Sequence, residues 1–288
     1  HPQNTTMKAM RDTWLRADAL KVDSIWVWDH FYPLYGDPDA SHFEADTLLA
    51  AIAAETKHAT VGALVTCFSY RNPQLLADMS RTIDHISGGR FILGVGSGWF
   101  ERDYTEYGYE FGTAVGRLKI LEKGLPVIKQ RLAKLNPGTV NPKMPLMIGG
   151  SGEKITLRLV AEHADMSNVF GPVENVRKKN EVIDQWCAKI GRNPREIERT
   201  VAINPEDLEM ADEFAAAGAD HPVARLRQRH GRSLADPAGV HGRAGAGREE
   251  GADRLVGFDL GHEEDLVLDL DPKVRCLTRL AHERVHRL

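Results

Sequence analysis

The chain has 288 residues, 42% hydrophobic and 27% charged, with a formal net charge of −4. This is the balance of an ordinary globular protein, and the mild acidity gives no electrostatic footprint for nucleic acid or an anionic membrane. No apolar run approaches the roughly 18 residues of a membrane span, and no signal-peptide pattern is present. The three cysteines, Cys67, Cys187 and Cys276, are widely spaced and odd in number. They suit a reducing, cytoplasmic setting and form no metal-ligand pair. The length suits one barrel of about 250 residues or two smaller domains.

Thr5 or Thr6 can cap a first helix that carries Met10, Trp14 and Leu15 and continues to Leu20. Residues 24–28 read as a strand, 47–55 as a helix and 59–66 as a strand. Glu44 and Asp46 precede that helix and read as capping and dipole charges. Residues 71–99 form the clearest unit. Pro73 suits a first helical turn, and Leu75, Leu76, Met79, Ile83 and Ile86 follow a helical stripe. Gly88 and Gly89 stop that helix, and Phe91, Ile92 and Leu93 begin a short apolar strand. Gly94, Gly96 and Gly98 then let the next turn approach a ligand closely.

Onward, helical patterns cover 117–131, 153–162, 173–190 and 206–217, and strand patterns cover 146–148, 165–170 and 201–203. Strict alternation predicts a parallel sheet with helices outside, and a count approaching eight favours a closed (β/α)8 barrel over an open sheet. A single domain over 1–288 is expected, with an irregular or disordered segment at 221–254, where Arg, Gly, Ala and His dominate. Two segments compete for the last strand, 219–224 and 252–258. Pro222 weakens the first, because a central strand needs every N–H, so the second is favoured.

Functional residues of a barrel gather at the C-terminal ends of its strands. That rule selects Asp29 and His30, Thr66 to Tyr70, Gly96 to Trp99, Gly149 to Gly152, Asn168 to Phe170, and Ile203 with Asn204. An imidazole beside a carboxylate, as at His30 and Asp29, can relay protons near neutral pH; the same histidine could merely cap the strand end. The run from Gly94 to Gly98 fails the dinucleotide pattern, since Trp99 occupies the last glycine position. Gly149, Gly150, Ser151 and Gly152 precede a helix, where backbone N–H groups make an anion site; a plain turn is the alternative. The histidines form no ligand-spaced pair at the strand ends, which argues against a metal-dependent hydrolase.

Residues 23–31, 61–66, 71–99 and 145–154, in that order, resemble the luciferase-like monooxygenase superfamily, over roughly residues 1 to 215. The resemblance implies a flavin- or deazaflavin-dependent oxidoreductase on a (β/α)8 barrel. Trp28 to Phe31, followed by Pro33 and Gly36 to Pro38, is most similar to the F420-dependent members. On that resemblance His30 lies beside the reactive ring of the cofactor and assists proton transfer, and Asp29 orients the site. Gly96, Ser97 and Gly98 line the ribityl chain or ring pocket, and Trp99 forms an aromatic wall. Gly150, Ser151 and Gly152, with Gly149, hold the phosphate. Ala63 and Leu64 align with a position where many relatives carry a non-proline cis peptide supporting the ring, and Thr66, Cys67 and Ser69 face the mouth.

The implied reaction is hydride transfer between F420 and a small organic substrate, in a homodimer with no nucleic-acid or membrane partner. FMN in place of F420 would imply a monooxygenase, and a noncatalytic cofactor-binding relative is the third reading. The first strand is expected to be incomplete, with residues 1–3 as its tail. Two departures from the superfamily stand out. Arg131 runs directly into Leu132 to Pro137, where relatives carry a strand-bearing insertion, so either the loop is short or residues are absent there, and the resemblance fades over 221–254.

Overall fold

The structure is a computed structural model and describes residues 2–224. Helix α1 (Met7–Ala19) begins at Thr6, whose side chain accepts from the Ala9 N–H, and leads into strand β1 (Ser24–Val27). Helix α2 (Ala45–Glu55) is capped by the Glu44 carboxylate, which accepts from the Asp46 and Thr47 N–H groups. Strands β2 (Thr60–Ala63) and β3 (Thr66–Cys67) follow one line, interrupted by Leu64 and Val65. Helix α3 (Pro73–Ser87) has the predicted proline start, an Asn72 cap and a left-handed Gly88 at its end.

Strand β4 (Phe91–Gly96) leads to a short helix α4 (Glu101–Tyr107), which sequence periodicity did not reveal. Helix α5 (Ala114–Leu132), strand β5 (Leu146–Gly149), helix α6 (Thr156–His163) and strand β6 (Met166–Phe170) come next. Helix α7 (Val173–Ile190), strand β7 (Glu198–Ile203), helix α8 (Ala211–Ala216) and strand β8 (His221–Ala224) complete the described elements. No strand occupies 133–145, so the departure near Arg131 is a short connection.

Every ladder is parallel, in the order β1-β2-β4-β5-β6-β7-β8, with β3 also paired to β4. Parallel pairing demands a crossover between strands, and the helices supply it. Side chains alternate along β4: Phe91, Leu93 and Val95 join the main core with Leu49 and Ile52 of α2, Leu76 of α3 and Leu121 of α5. The opposite face holds Ile92, which packs with Met147, Met166, Trp26 and Leu64 in a separate interior cluster. Among the described residues β1 and β8 are not bonded to each other, so the curled sheet is an incomplete (β/α)8 barrel. Among the described residues no helix is long and apolar enough to cross a membrane.

Two expectations meet the structure. The last described strand is His221–Ala224, the proline-bearing candidate counted the weaker, with Pro222 opposite Val201. Among the described residues β8 is bonded on one side only, to β7, and an edge strand can spare an N–H. The favoured segment 252–258, like most of 221–254, lies outside the described residues. Gln3 does not extend the parallel sheet; it forms an isolated antiparallel bridge with His42.

Candidate active site

His30 follows β1 and is only 9% exposed. Its Nδ1 lies 2.7 Å from Oδ2 of Asp103, which is fully buried in the first turn of α4. Asp103 Oδ2 also accepts from the Tyr70 hydroxyl at 2.9 Å, and Oδ1 accepts from the Phe31 and Tyr32 N–H groups at 3.1 and 3.2 Å. Burial pushes the Tyr70 phenol well above its ordinary range, so it stays a donor. The imidazole is walled edge-on by Phe100 at 5.4 Å, Trp99 at 5.7 Å and Trp28 at 6.5 Å between ring centroids. Nε2 has no hydrogen-bond partner among the described residues. Trp99 is 63% exposed, so this wall stands at the open side of the site. A second histidine, His42, accepts from Trp28 Nε1 at 3.1 Å. Burial lowers it to about 4, so it remains neutral beside the site.

Asp29, which the resemblance makes an orienter of the site, bonds Cys67 and Arg71 and not His30. Its carboxylate accepts from the Cys67 N–H at 2.9 Å and from both terminal nitrogens of Arg71 at 2.5 and 2.9 Å. Arg71 also donates to Glu44 at 2.9 Å and places Nε 2.5 Å from Asp46 Oδ2, a contact without hydrogen-bond geometry. Asp29 therefore ties the end of β1 to β3 and, through Arg71, to the start of α2. Asp46 stands in the first turn of α2, as a dipole charge would, and is buried there. The orienting carboxylate is Asp103, which sequence reasoning missed.

The glycine run after β4 is explained first by packing. A Cβ on Gly96 would lie 2.6 Å from Val65 Cγ2, and one on Gly149 would lie 2.8 Å from Val65 Cγ1. The missing side chains make room for Val65. Gly98 has φ +79°, and a Cβ there would meet Tyr104 Oη at 2.1 Å and Cys67 Sγ at 2.4 Å. Cys67 packs with Tyr70 and Tyr104 instead of facing the mouth, and burial raises its thiol, which disfavours a nucleophile. Thr66 is likewise buried. Ser97 lends its carbonyl to the Tyr104 hydroxyl. The cis peptide is Leu64–Val65, one bond beyond Ala63–Leu64.

After β5 the turn does not offer every N–H. Gly150 has φ +129° and donates to the Asn168 carbonyl at 3.0 Å. The N–H groups of Ser151, Gly152 and Glu153 have no acceptor among the described residues. Gly152 closes against Thr156 at the start of α6, where an added Cβ would lie 2.8 Å from Oγ1. Consecutive unspent N–H groups before a helix fit a phosphate or other anion. Lys178 and Lys179 reach Glu153 at 3.1 and 2.7 Å, so its charge does not oppose an anion there. Phe170 and Asn204 line a cleft of about 280 Å³ at the ends of β6 and β7. Asn168 is turned inward instead, donating to Thr200 Oγ1.

Parallel strands with helices between them, and a buried histidine and a turn of unspent N–H groups beyond their C-terminal ends, are the arrangement of the (β/α)8 class. Residues 1–263 match the luciferase-like monooxygenase family, and the chain belongs to that family. An F420-dependent glucose-6-phosphate dehydrogenase of Amycolatopsis mediterranei is 32% identical over 117 residues, 40% of this chain and 35% of that protein. A 5,10-methylenetetrahydromethanopterin reductase of Archaeoglobus fulgidus is 32% identical over 194 residues, 62% of this chain and 54% of the relative. The chain thus spans about a third to a half of these curated relatives. Among solved structures, an F420-dependent secondary alcohol dehydrogenase bound to an F420–acetone adduct superposes with a TM-score of 0.68. That pair is 16% identical and covers 77% of this chain and 90% of the other, a likeness of fold.

Proposed function

We propose that this chain carries the active site of an F420-dependent oxidoreductase acting on a small organic substrate. The observation that carries the reading is His30, a buried imidazole anchored through Nδ1 to Asp103, with Nε2 unpartnered among the described residues and beside an exposed Trp99. F420, when bound, supplies hydride transfer. The chain supplies binding, orientation and the proton. In this reading the N–H groups of Ser151, Gly152 and Glu153 hold the phosphate, and Trp99 walls the ring. Leu64, next to Ala63, and the turn at Gly96, Ser97 and Gly98 shape the floor. His30 Nε2 takes or returns the proton that accompanies the hydride. The F420 dependence of the Amycolatopsis mediterranei relative supports the deazaflavin over FMN. Sedimentation of the purified chain tests the homodimer that belongs to the same reading.

His30→Ala tests the assignment. General acid–base assistance is worth about 10²–10⁴-fold, so turnover per folded enzyme should fall by that order while cofactor affinity changes less. A histidine that only caps the strand end predicts the reverse: lower thermal stability with turnover per folded enzyme within about twofold of wild type.

A further inference from the structure

We infer that Asp103 is a positioning residue that locks His30 as the Nδ1–H tautomer and reserves Nε2 as a proton acceptor. The tautomer follows from the hydrogen-bond partners alone; its catalytic consequence rests on the proposed oxidoreductase reading.

Asp103 lies in the first turn of α4, yet its side chain is spent outside its own helix. It reaches back to the segment after β1 and to Tyr70. Oδ1 accepts from two backbone N–H groups, which can only donate. Oδ2 accepts from the Tyr70 hydroxyl at 2.9 Å and faces His30 Nδ1 at 2.7 Å. A carboxylate accepts and does not donate, so the proton in the last contact belongs to His30 Nδ1. A neutral imidazole protonated at Nδ1 carries its lone pair on Nε2. The surrounding Phe100, Trp99 and Trp28 rings fix the plane, so the lone pair has a set direction. When His30 takes a second proton, the adjacent carboxylate stabilises the imidazolium.

Asp103→Asn is a sharp test because the amide has one acceptor. Its oxygen must remain with the Phe31 and Tyr32 N–H groups, since an NH2 group there would oppose two donors. The NH2 group then takes the place of Oδ2 and donates to His30 Nδ1. His30 is forced to carry its proton on Nε2, where the acceptor is needed. The same logic explains a wrong-tautomer defect in serine proteases.

The experiment reads the tautomer directly in ¹⁵N-labelled protein without cofactor, using two-bond proton–nitrogen correlations. The His30 signals are assigned by their loss in His30→Gln. The expected result is Nδ1–H in wild type and in Tyr70→Phe, and Nε2–H in Asp103→Asn. Wild-type His30 with its proton on Nε2, or a folded Asp103→Asn that keeps Nδ1–H, would overturn the inference. The wild-type spectrum decides even if the variant does not fold. With F420 and an accepted substrate, Asp103→Asn should lower kcat by about 10²–10⁴-fold, with KM within a few-fold. An inverted tautomer with unchanged kcat would overturn the catalytic consequence. Failure of F420 to bind would sink the cofactor reading and leave the tautomer result untouched.

Discussion

Replacing Asp46 by asparagine is expected to stabilise the protein at alkaline pH. Arg71 is one cation facing three carboxylates, and Asp29 and Glu44 already accept its terminal N–H groups. Asp46 is 6% exposed and touches Nε without a hydrogen bond. Burial is the largest influence on its carboxyl, Arg71 opposes it, and Asp29 and Glu44 add repulsion; together they push it up from 3.8 to about 6. In the unfolded chain it ionises near the ordinary carboxylate value. At pH 8 the folded state therefore carries about 3 kcal/mol of unfavourable ionisation relative to the unfolded state. This penalty fades as pH falls through 6 and is gone below the unfolded value near 3.8. Asp46→Asn removes it, a gain of up to about 3 kcal/mol at pH 8 and none at pH 3.5. Losing the Arg71–Asp46 attraction works against the gain, but Arg71 keeps two carboxylates and no charge is left unpaired. Urea unfolding of both proteins at several pH values measures the difference. A variant less stable than wild type at pH 8 would show that the Arg71–Asp46 attraction dominates, and the reasoning would be wrong.

His42 predicts the opposite pH trend. Held neutral down to about 4 in the folded state, against 6.5 when free, it makes stability fall as pH drops between those values. His42→Gln should flatten that fall by about 2 kcal/mol, after discounting partial exposure, in the same unfolding series. Gly98→Ala forces a left-handed residue and a Cβ into Tyr104 and Cys67, so thermal or chemical unfolding should report a loss of about 2–5 kcal/mol. Arg90 donates to the carbonyls of Ala53, Thr56, Ala59 and Ser87, closing the base of the barrel. Arg90→Met leaves these acceptors unpaired and should cost about 2–4 kcal/mol by urea unfolding. Ser151→Asp adds a negative charge at the turn proposed to hold the phosphate, without disturbing a glycine conformation. It should weaken F420 binding about tenfold or more by fluorescence titration, and unchanged affinity would remove the proposed phosphate site.

The strands were legible because a parallel strand buried on both faces is a continuous apolar run, as in β4. Helix α3 was legible because its proline start and glycine stop are local signals. Helix α4 was not, since it is short and its buried residues include a charged one. The same locality limits the site. His30 stood out at a strand end, but Asp103 is 73 residues away, and no local pattern links them. Asp29 adjoins His30 in sequence, yet alternation along the chain turns it to Arg71. The usable signal for Asp103 was its place just beyond a strand's C-terminal end, where a barrel gathers its chemistry. Asp46 looked like a dipole charge because helix starts favour acids; only the fold reveals its burial against Arg71. Pro222 counted against a strand at 219–224, yet it sits in β8 opposite Val201, because a ladder on one side can spare its N–H.

The central claim is that the mouth of this barrel binds F420 and uses His30 beside it. Calorimetric titration of the purified chain with F420 and, separately, with FMN tests it most directly. The account predicts micromolar or tighter binding of F420 and much weaker binding of FMN. Preference for FMN, or no binding of either, would contradict it.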